Sequence, residues 1–401
     1  MTTIAANTVR QDAQIIALVG LAHGTSHFFQ LLVPPLFPWL MREFSLDFTT
    51  IGLTMTVFFI VSGMGQAVAG FFVDRFGPVR VLLGGMACFL FSGLTLAMAD
   101  GLAGIMLATA LAGLGNSVLH PSDFTILNRE VSPSRLGHAF SVHGLSGNIG
   151  YALAPVFLTA VASFAGWRWA AALTAFWVLP AALMLWVFRA SLHSKLPDSA
   201  ALAGHSPRFA FLGSGAVWLC FGFFLLITSA FGAIQTFMPS VLQGLYQLPL
   251  AISALSLSIY LLASGGGIIV GGFVVKHAAN ERQIAGALTV AALLAVLMAS
   301  AVVPAALVPA LLAAIGFFSG IAGPSRDLLV RRAATSRFGQ AAFGRVYGFV
   351  YSGLDLGMAL APPMFGMLMD RGRLAEVLFG IAAFQGLAIL TALGVGKTAK
   401  C

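Results

Sequence analysis

His23 and His27 stand four residues apart in otherwise apolar sequence, and Gln30 follows three further on, so one helix would carry all three on a single face, directed at a cavity. Asn116, His120 and Asp123 form a second stripe at helical spacing, with Pro121 among them to free a backbone carbonyl. Asn148, Gln235, Arg326 with Asp327, and Asp355 are further polar positions in apolar surroundings. Imidazole and carboxylate can pass protons, and His23 and His27 with Asp123 could hold Zn, Fe or Ni if they converge. A guanidinium offers paired donors matched to carboxylate or phosphonate oxygens. Structural duties compete with each reading. The imidazoles could be satisfied by neighbouring backbone, and the Asn116–Asp123 stripe could pack a helix end near Arg129. Asp327 could pair with Arg331 at i, i+4, Arg326 could reach Asp123 as a gate, and Asp355 could bond to backbone or a tyrosine.

The elements that must carry these residues follow from composition. Of 401 residues, 59% are hydrophobic and 8% charged, with a mean hydropathy of +0.95, so the chain reads as an integral membrane protein. Apolar stretches of about 18 residues or more exclude barrel strands, which need only about 10. Twelve helical spans are expected, among them Gln14 to Leu40, Leu102 to Phe124 and Phe343 to Met369. At the centre of such a span a charge costs roughly 2.5 to 3.5 kcal/mol, which makes every ionisable residue there a functional candidate.

The chain also repeats itself. SGMGQAVAGFFVD (Ser62 to Asp74) returns as SGGGIIVGGFVVK (Ser264 to Lys276), and NIGYALAPVF (Asn148 to Phe157) as DLGMALAPPMF (Asp355 to Phe365). HPSDF (His120 to Phe124) becomes GPSRD (Gly323 to Asp327), which sets Arg326 at the repeat position of Asp123, and Asp355 at that of Asn148. Such duplicated bundles bind substrate between the repeats, so positions where the copies differ are the first candidates. The glycines around Asn148 and Asp355 are read as packing residues that let helices approach and bend. A polar stretch rich in Ser and Pro, 190–209, is the expected cytoplasmic linker between an N-terminal bundle, 1–189, and a C-terminal bundle, 210–401.

With both termini cytoplasmic, sixteen of the 21 Lys and Arg residues fall on the inner side, as the positive-inside rule requires. The net charge of +8 thus reports topology and anionic lipid rather than nucleic acid. No small-residue cleavage pattern follows the first span, which is expected to be retained. The three cysteines offer neither metal spacing nor a disulfide framework. The absence of GxxxxGK[ST] leaves no ATPase, no cofactor is called for, and transport must run on a gradient.

Gly70 to Arg80, GFFVDRFGPVR, resembles the loop between helices 2 and 3 of the major facilitator superfamily, in which Gly70, Asp74, Arg75, Gly77 and Arg80 shape a tight turn and hold one conformation, with Asp327 a further gate candidate. The resemblance implies an all-α fold of twelve transmembrane helices in two pseudo-symmetric six-helix bundles, lined by helices 1, 4, 7 and 10. AHGTSHFFQLLVPPLFP (Ala22 to Pro38), GLGNSVLHPSDF (Gly113 to Phe124) and FSVHGLSGNIGYALAP (Phe140 to Pro155) resemble the fosmidomycin-resistance branch, bacterial inner-membrane efflux proteins thought to be proton antiporters. Two departures touch ionisable positions. Ser26 and His27 stand where the branch has an Asn-Asp pair, and Ser122 stands where it has a Glu.

The expectation is a monomeric, proton-coupled secondary transporter, not an enzyme, that moves a small anionic organic solute or drug across the inner membrane, with export leading. Uptake of a small carboxylate and carriage of a divalent metal ion are the alternatives. His23, His27, Gln30, His120, Asn148, Gln235 and Arg326 are the expected substrate residues, and Asp123 and Asp355 the expected proton carriers, relayed by His27 or His120. Reporter fusions at Ala203 and Lys400 should both read cytoplasmic; a periplasmic signal from either would overturn the topology.

Overall fold

The computed structural model describes residues 2–192, 210–274, 281–338 and 343–398. The helices are α1 (Thr2–Gln30), α2 (Phe37–Phe44), α3 (Phe48–Phe76), α4 (Pro78–Ala97), α5 (Leu102–Ser117), α6 (Leu119–Glu130), α7 (Leu136–Ala165), α8 (Trp167–Val187), α9 (Gly215–Tyr246), α10 (Leu250–Val274), α11 (Glu281–Ala299), α12 (Val308–Phe338), α13 (Phe343–Asp370) and α14 (Leu374–Thr398). Among the described residues there is no strand. A backbone in hydrocarbon must satisfy its own hydrogen bonds, and a helix does so within one segment.

Among the described residues, eleven segments are long and apolar enough to cross a membrane. The twelfth, α13, has 28 residues but is less apolar, because Asp355, Pro362 and Pro363 interrupt it. Two expected spans turn out to be broken. The first is α1 and α2 in sequence, because Pro34 and Pro35 lack the N–H groups that would continue the ladder and a 3-10 turn forms at Pro34–Leu36. The fourth is α5 and α6, parted at Val118, since Pro121 cannot donate to the carbonyl of Ser117.

Contacts divide the chain into two compact units, Met1–Leu46 with Val57–Asp198, and Asp47–Thr56 with Ser199–Cys401. The linker expected at 190–209 lies outside the described residues from 193 onward. The first unit is packed on rings such as Phe29 against Phe89, 4.9 Å between centroids. The second is packed on Cys220, Phe223, Phe224, Leu288 and Val350. Large apolar side chains such as Phe71 and Phe164 are exposed, as a lipid-facing surface requires.

The repeat in sequence is a repeat in packing. A Cβ on Gly113 of α5 would stand 2.5 Å from the carbonyl oxygen of Phe58 in α3, and one on Gly316 of α12 would stand 2.3 Å from that of Tyr260 in α10. Likewise a Cβ on Gly150 of α7 would stand 2.0 Å from the carbonyl oxygen of Gly24 in α1, and one on Gly357 of α13 would stand 2.4 Å from that of Leu225 in α9. Both copies therefore use a glycine at the same crossing, where only a missing side chain lets backbones touch.

The start of α3 belongs to the second unit. Asp47 accepts from the N–H of Thr50 at 2.7 Å, a local cap. Its side-chain and backbone hydrogen bonds from Thr50 hold its carboxyl below the usual carboxylate value. Asp370, at the end of α13, accepts from the N–H groups of Phe48 at 2.6 Å and Thr49 at 2.9 Å, and also from the Thr49 hydroxyl. Three of the free donors at this terminus are thus satisfied, one locally and two from a helix more than 300 residues away in sequence. Asp370→Ala should lower stability by about 1 kcal/mol, the usual worth of a cap. Thermal unfolding in detergent micelles measures it, and an unchanged midpoint would show that the contact carries nothing.

Candidate functional site

Four imidazoles meet inside the first unit. His23 and His27, one turn apart on α1, have ring centroids 4.3 Å apart. His143 of α7 stacks on His23 at 3.5 Å with the planes 18° apart, and His120 of α6 lies edge-on to His23 at 5.3 Å. The crossing of α1 and α7 at Gly24 and Gly150 brings these helices close enough for the rings to touch. Gly147 leaves room for them, since a Cβ there would fall 2.6 Å from Nδ1 of His27. Tyr151 closes the group, its ring 4.1 Å from that of His27.

Hydrogen bonds orient the cluster. His23 Nδ1 donates to the carbonyl of His143 at 2.7 Å, so the proton is on Nδ1 and Nε2 keeps its lone pair. His143 Nε2 meets Asp123 Oδ2 at 3.1 Å, with the carboxylate fully buried. Three buried atoms of the cluster have no hydrogen-bond partner: Nε2 of His23, Nδ1 of His27 and Oδ1 of Asp123. Ligand atoms of His23, His27 and His120 lie within 4.8 Å of one another. The convergent set is thus three imidazoles. Asp123, grouped with His23 and His27 from sequence, instead faces His143.

The other expected residues separate into those with local duties and those in the second unit. Asn116 is a structural link, accepting from Ser26 at 2.6 Å and donating to Ser62 at 2.7 Å, so three helices share one buried amide. Asn148 donates to the carbonyl of Gly144 one turn back on its own helix, at 3.0 Å. Gln30 is buried at the end of α1. In the second unit Gln235 is buried in α9 and Asp355 is half-buried in α13. The Arg326 guanidinium lies over the ring of Phe224, 4.9 Å from its centroid. In the loop, Gly77 takes φ +83° and Pro78 opens α4, so that glycine makes the turn, whereas Gly70 sits inside α3 with open space beside it. Arg75 lies over the ring of Phe76, and Arg75 and Arg80 are exposed. The side chains of Asp74 and Asp327 fall outside the described residues.

Residues 19–362 match the family model of the Major Facilitator Superfamily. The chain belongs to the major facilitator superfamily. Its members are transporters rather than enzymes, and here the fold is all-helical, in two six-helix bundles. The chain is 28% identical over 390 residues to the fosmidomycin resistance protein of Escherichia coli K12, covering 94% of this chain and 91% of that one. It is 29% identical over 203 residues to the 3-(3-hydroxy-phenyl)propionate transporter of the same organism, covering 46% and 47%. The crystal structure of the POT family transporter PepTSo shares the fold, with a TM-score of 0.74 and 14% identity over 98% of both chains.

Sequence reasoning missed His143 in this major facilitator protein. It was legible only as a polar residue in the apolar run of helix 5, without a helical-spacing partner, because its partners come from other helices. Gly144 and Gly147 test the geometry as a pair. Nothing lies within 4 Å of a Cβ on Gly144, whereas one on Gly147 would press on His27 and His23. Gly144→Ala should leave the unfolding midpoint unchanged or raise it slightly, and Gly147→Ala should destabilise by about 1 to 3 kcal/mol as an overpacked site. Equal effects would contradict this packing.

Proposed function

We propose that the protein is a proton-coupled secondary transporter that exports a small anionic organic solute across the bacterial inner membrane by alternating access. The observation that carries the reading is the buried Asp123 carboxylate, with one oxygen on His143 and the other without a partner. A charged oxygen left so would cost several kcal/mol, and a proton delivered to Oδ1 lowers that cost by replacing the charge with a neutral O–H while Oδ2 stays on the imidazole. Asp123 is thus a group that can alternate between protonated and paired states as its surroundings change. Asp355, half-buried in the other bundle, is the second carrier.

Anion selectivity is assigned to Arg326, whose guanidinium stays ionised at any working pH and whose aromatic platform fixes its plane. Gln235 assists it from α9. Two relatives support this reading: one is named for drug resistance, as export would produce, and the other for a propionate, a carboxylate. The bundles 1–189 and 210–401, joined by the cytoplasmic linker 190–209, would act as a monomer with both termini inside, and the Gly70 to Arg80 loop would hold one conformation.

Cells expressing the protein are assayed for drug susceptibility, and everted vesicles for pH-driven movement of labelled organic anions. Arg326→Lys should weaken transport and Arg326→Ala nearly abolish it; full transport by Arg326→Ala at normal protein level would sink the anion assignment. Asp123→Asn keeps a partner for His143 but should lose pH-driven transport, and Asp355→Asn should lose it while still binding substrate. If both retain it, the coupling lies elsewhere.

A further inference from the structure

The geometry points to a three-histidine site for one divalent transition-metal ion inside the first unit, made by His23 and His27 of α1 and His120 of α6. It is independent of the anionic solute. Tetrahedral Zn²⁺ takes imidazole nitrogens at about 2.0 to 2.1 Å, which sets them roughly 3.4 Å apart. The three here lie within 4.8 Å of one another, so with His23 held in place, turning the His27 and His120 rings closes the remaining gap.

The donor set suits such an ion in its details. His23 is 3% exposed and donates Nδ1–H to the carbonyl of His143, which leaves the Nε2 lone pair buried and unpartnered. A ligating histidine is held in this way, its other nitrogen donating to a backbone carbonyl. His27 adds a second orphaned nitrogen, Nδ1. His143, stacked on His23, fixes the ring plane, and behind it Asp123 supplies a carboxylate one imidazole away from the ion's positive charge. Three neutral nitrogens and no thiolate favour the borderline divalent ions, Zn²⁺, Ni²⁺ or Cu²⁺, over Mg²⁺ or Ca²⁺.

All three ligands come from one bundle, so rocking of the halves does not pull them apart. The ion is therefore resident rather than cargo, with a fourth position left for water or another ligand.

The test uses full-length protein purified without a polyhistidine tag, stripped with a chelator and titrated with Co²⁺, then with Zn²⁺ in competition. One Co²⁺ per chain should bind, with the intense visible absorption of a tetrahedral site, and Zn²⁺ should displace it. His27→Ala and His120→Gln should each weaken binding about 100-fold or more, since even an outer-shell partner is worth about 10- to 100-fold. His138→Ala, exposed on α7, should bind as wild type. Size exclusion and helical circular dichroism establish that each variant is folded, and His120→Gln decides alone if His27→Ala is not. No uptake of Co²⁺ or Zn²⁺ by the wild type, or undiminished affinity in folded His120→Gln, overturns the site. Metal binding is read in the absence of any solute, so its failure is distinct from failure of anion transport.

Discussion

Backbone contact between helices is the constraint on which the rest of this structure depends. In lipid no hydrophobic force presses one helix on another, so association relies on close packing and on hydrogen bonds between helices. Gly150 against Gly24 and Gly113 against Phe58 in the first bundle, and Gly357 against Leu225 and Gly316 against Tyr260 in the second, are four crossings at which any side chain would collide with a carbonyl. Because α1 and α7 touch there, rings projecting from neighbouring turns are forced together. The stacking of His143 on His23 is a consequence of that crossing.

Once rings and amides are so confined, every polar atom must find a partner or remain unpaired at a cost. Asn116 shows the first outcome: its amide oxygen accepts from Ser26 and its nitrogen donates to Ser62, so both polar ends are tied to neighbouring helices. The histidine cluster shows the second. His143 satisfies one oxygen of Asp123 and the Nδ1 proton of His23, and the atoms left over all sit on His23, His27 and Asp123. Polar residues that look alike along the chain thus separate into those that hold helices together and those with unused bonding capacity, where a proton or an ion has a place.

The two bundles keep the same crossings and differ in what those crossings carry. Asp123 of the first copy corresponds to Arg326 of the second, and the imidazole beside the carboxylate gives way to a phenyl ring beneath the guanidinium. Duplication preserved the glycines, which packing cannot spare, while the polar positions diverged in sign of charge.

Class, element count and repeat were legible in the chain alone, because spans of about twenty predominantly apolar residues leave helices in a membrane as the only arrangement that satisfies the backbone. The breaks at Pro34, Pro35 and Pro121 were not read from it: the first and fourth spans were expected unbroken, and only at Pro121 was a freed carbonyl noted, whereas the missing N–H groups part both helices. Helical spacing also put His23 with His27 and His120 with Asp123. Which of these pairs meet, and in what company, was decided only by tertiary structure. His143 shares no helix with its partners, Asn116 is neutralised by hydroxyls from two other helices, and Asp123 turns to His143 rather than to the α1 imidazoles. Periodicity reports which residues share a face of one helix, whereas a site is made where faces of different helices meet, and the depth and angle of those crossings depend on which glycine lies against which carbonyl.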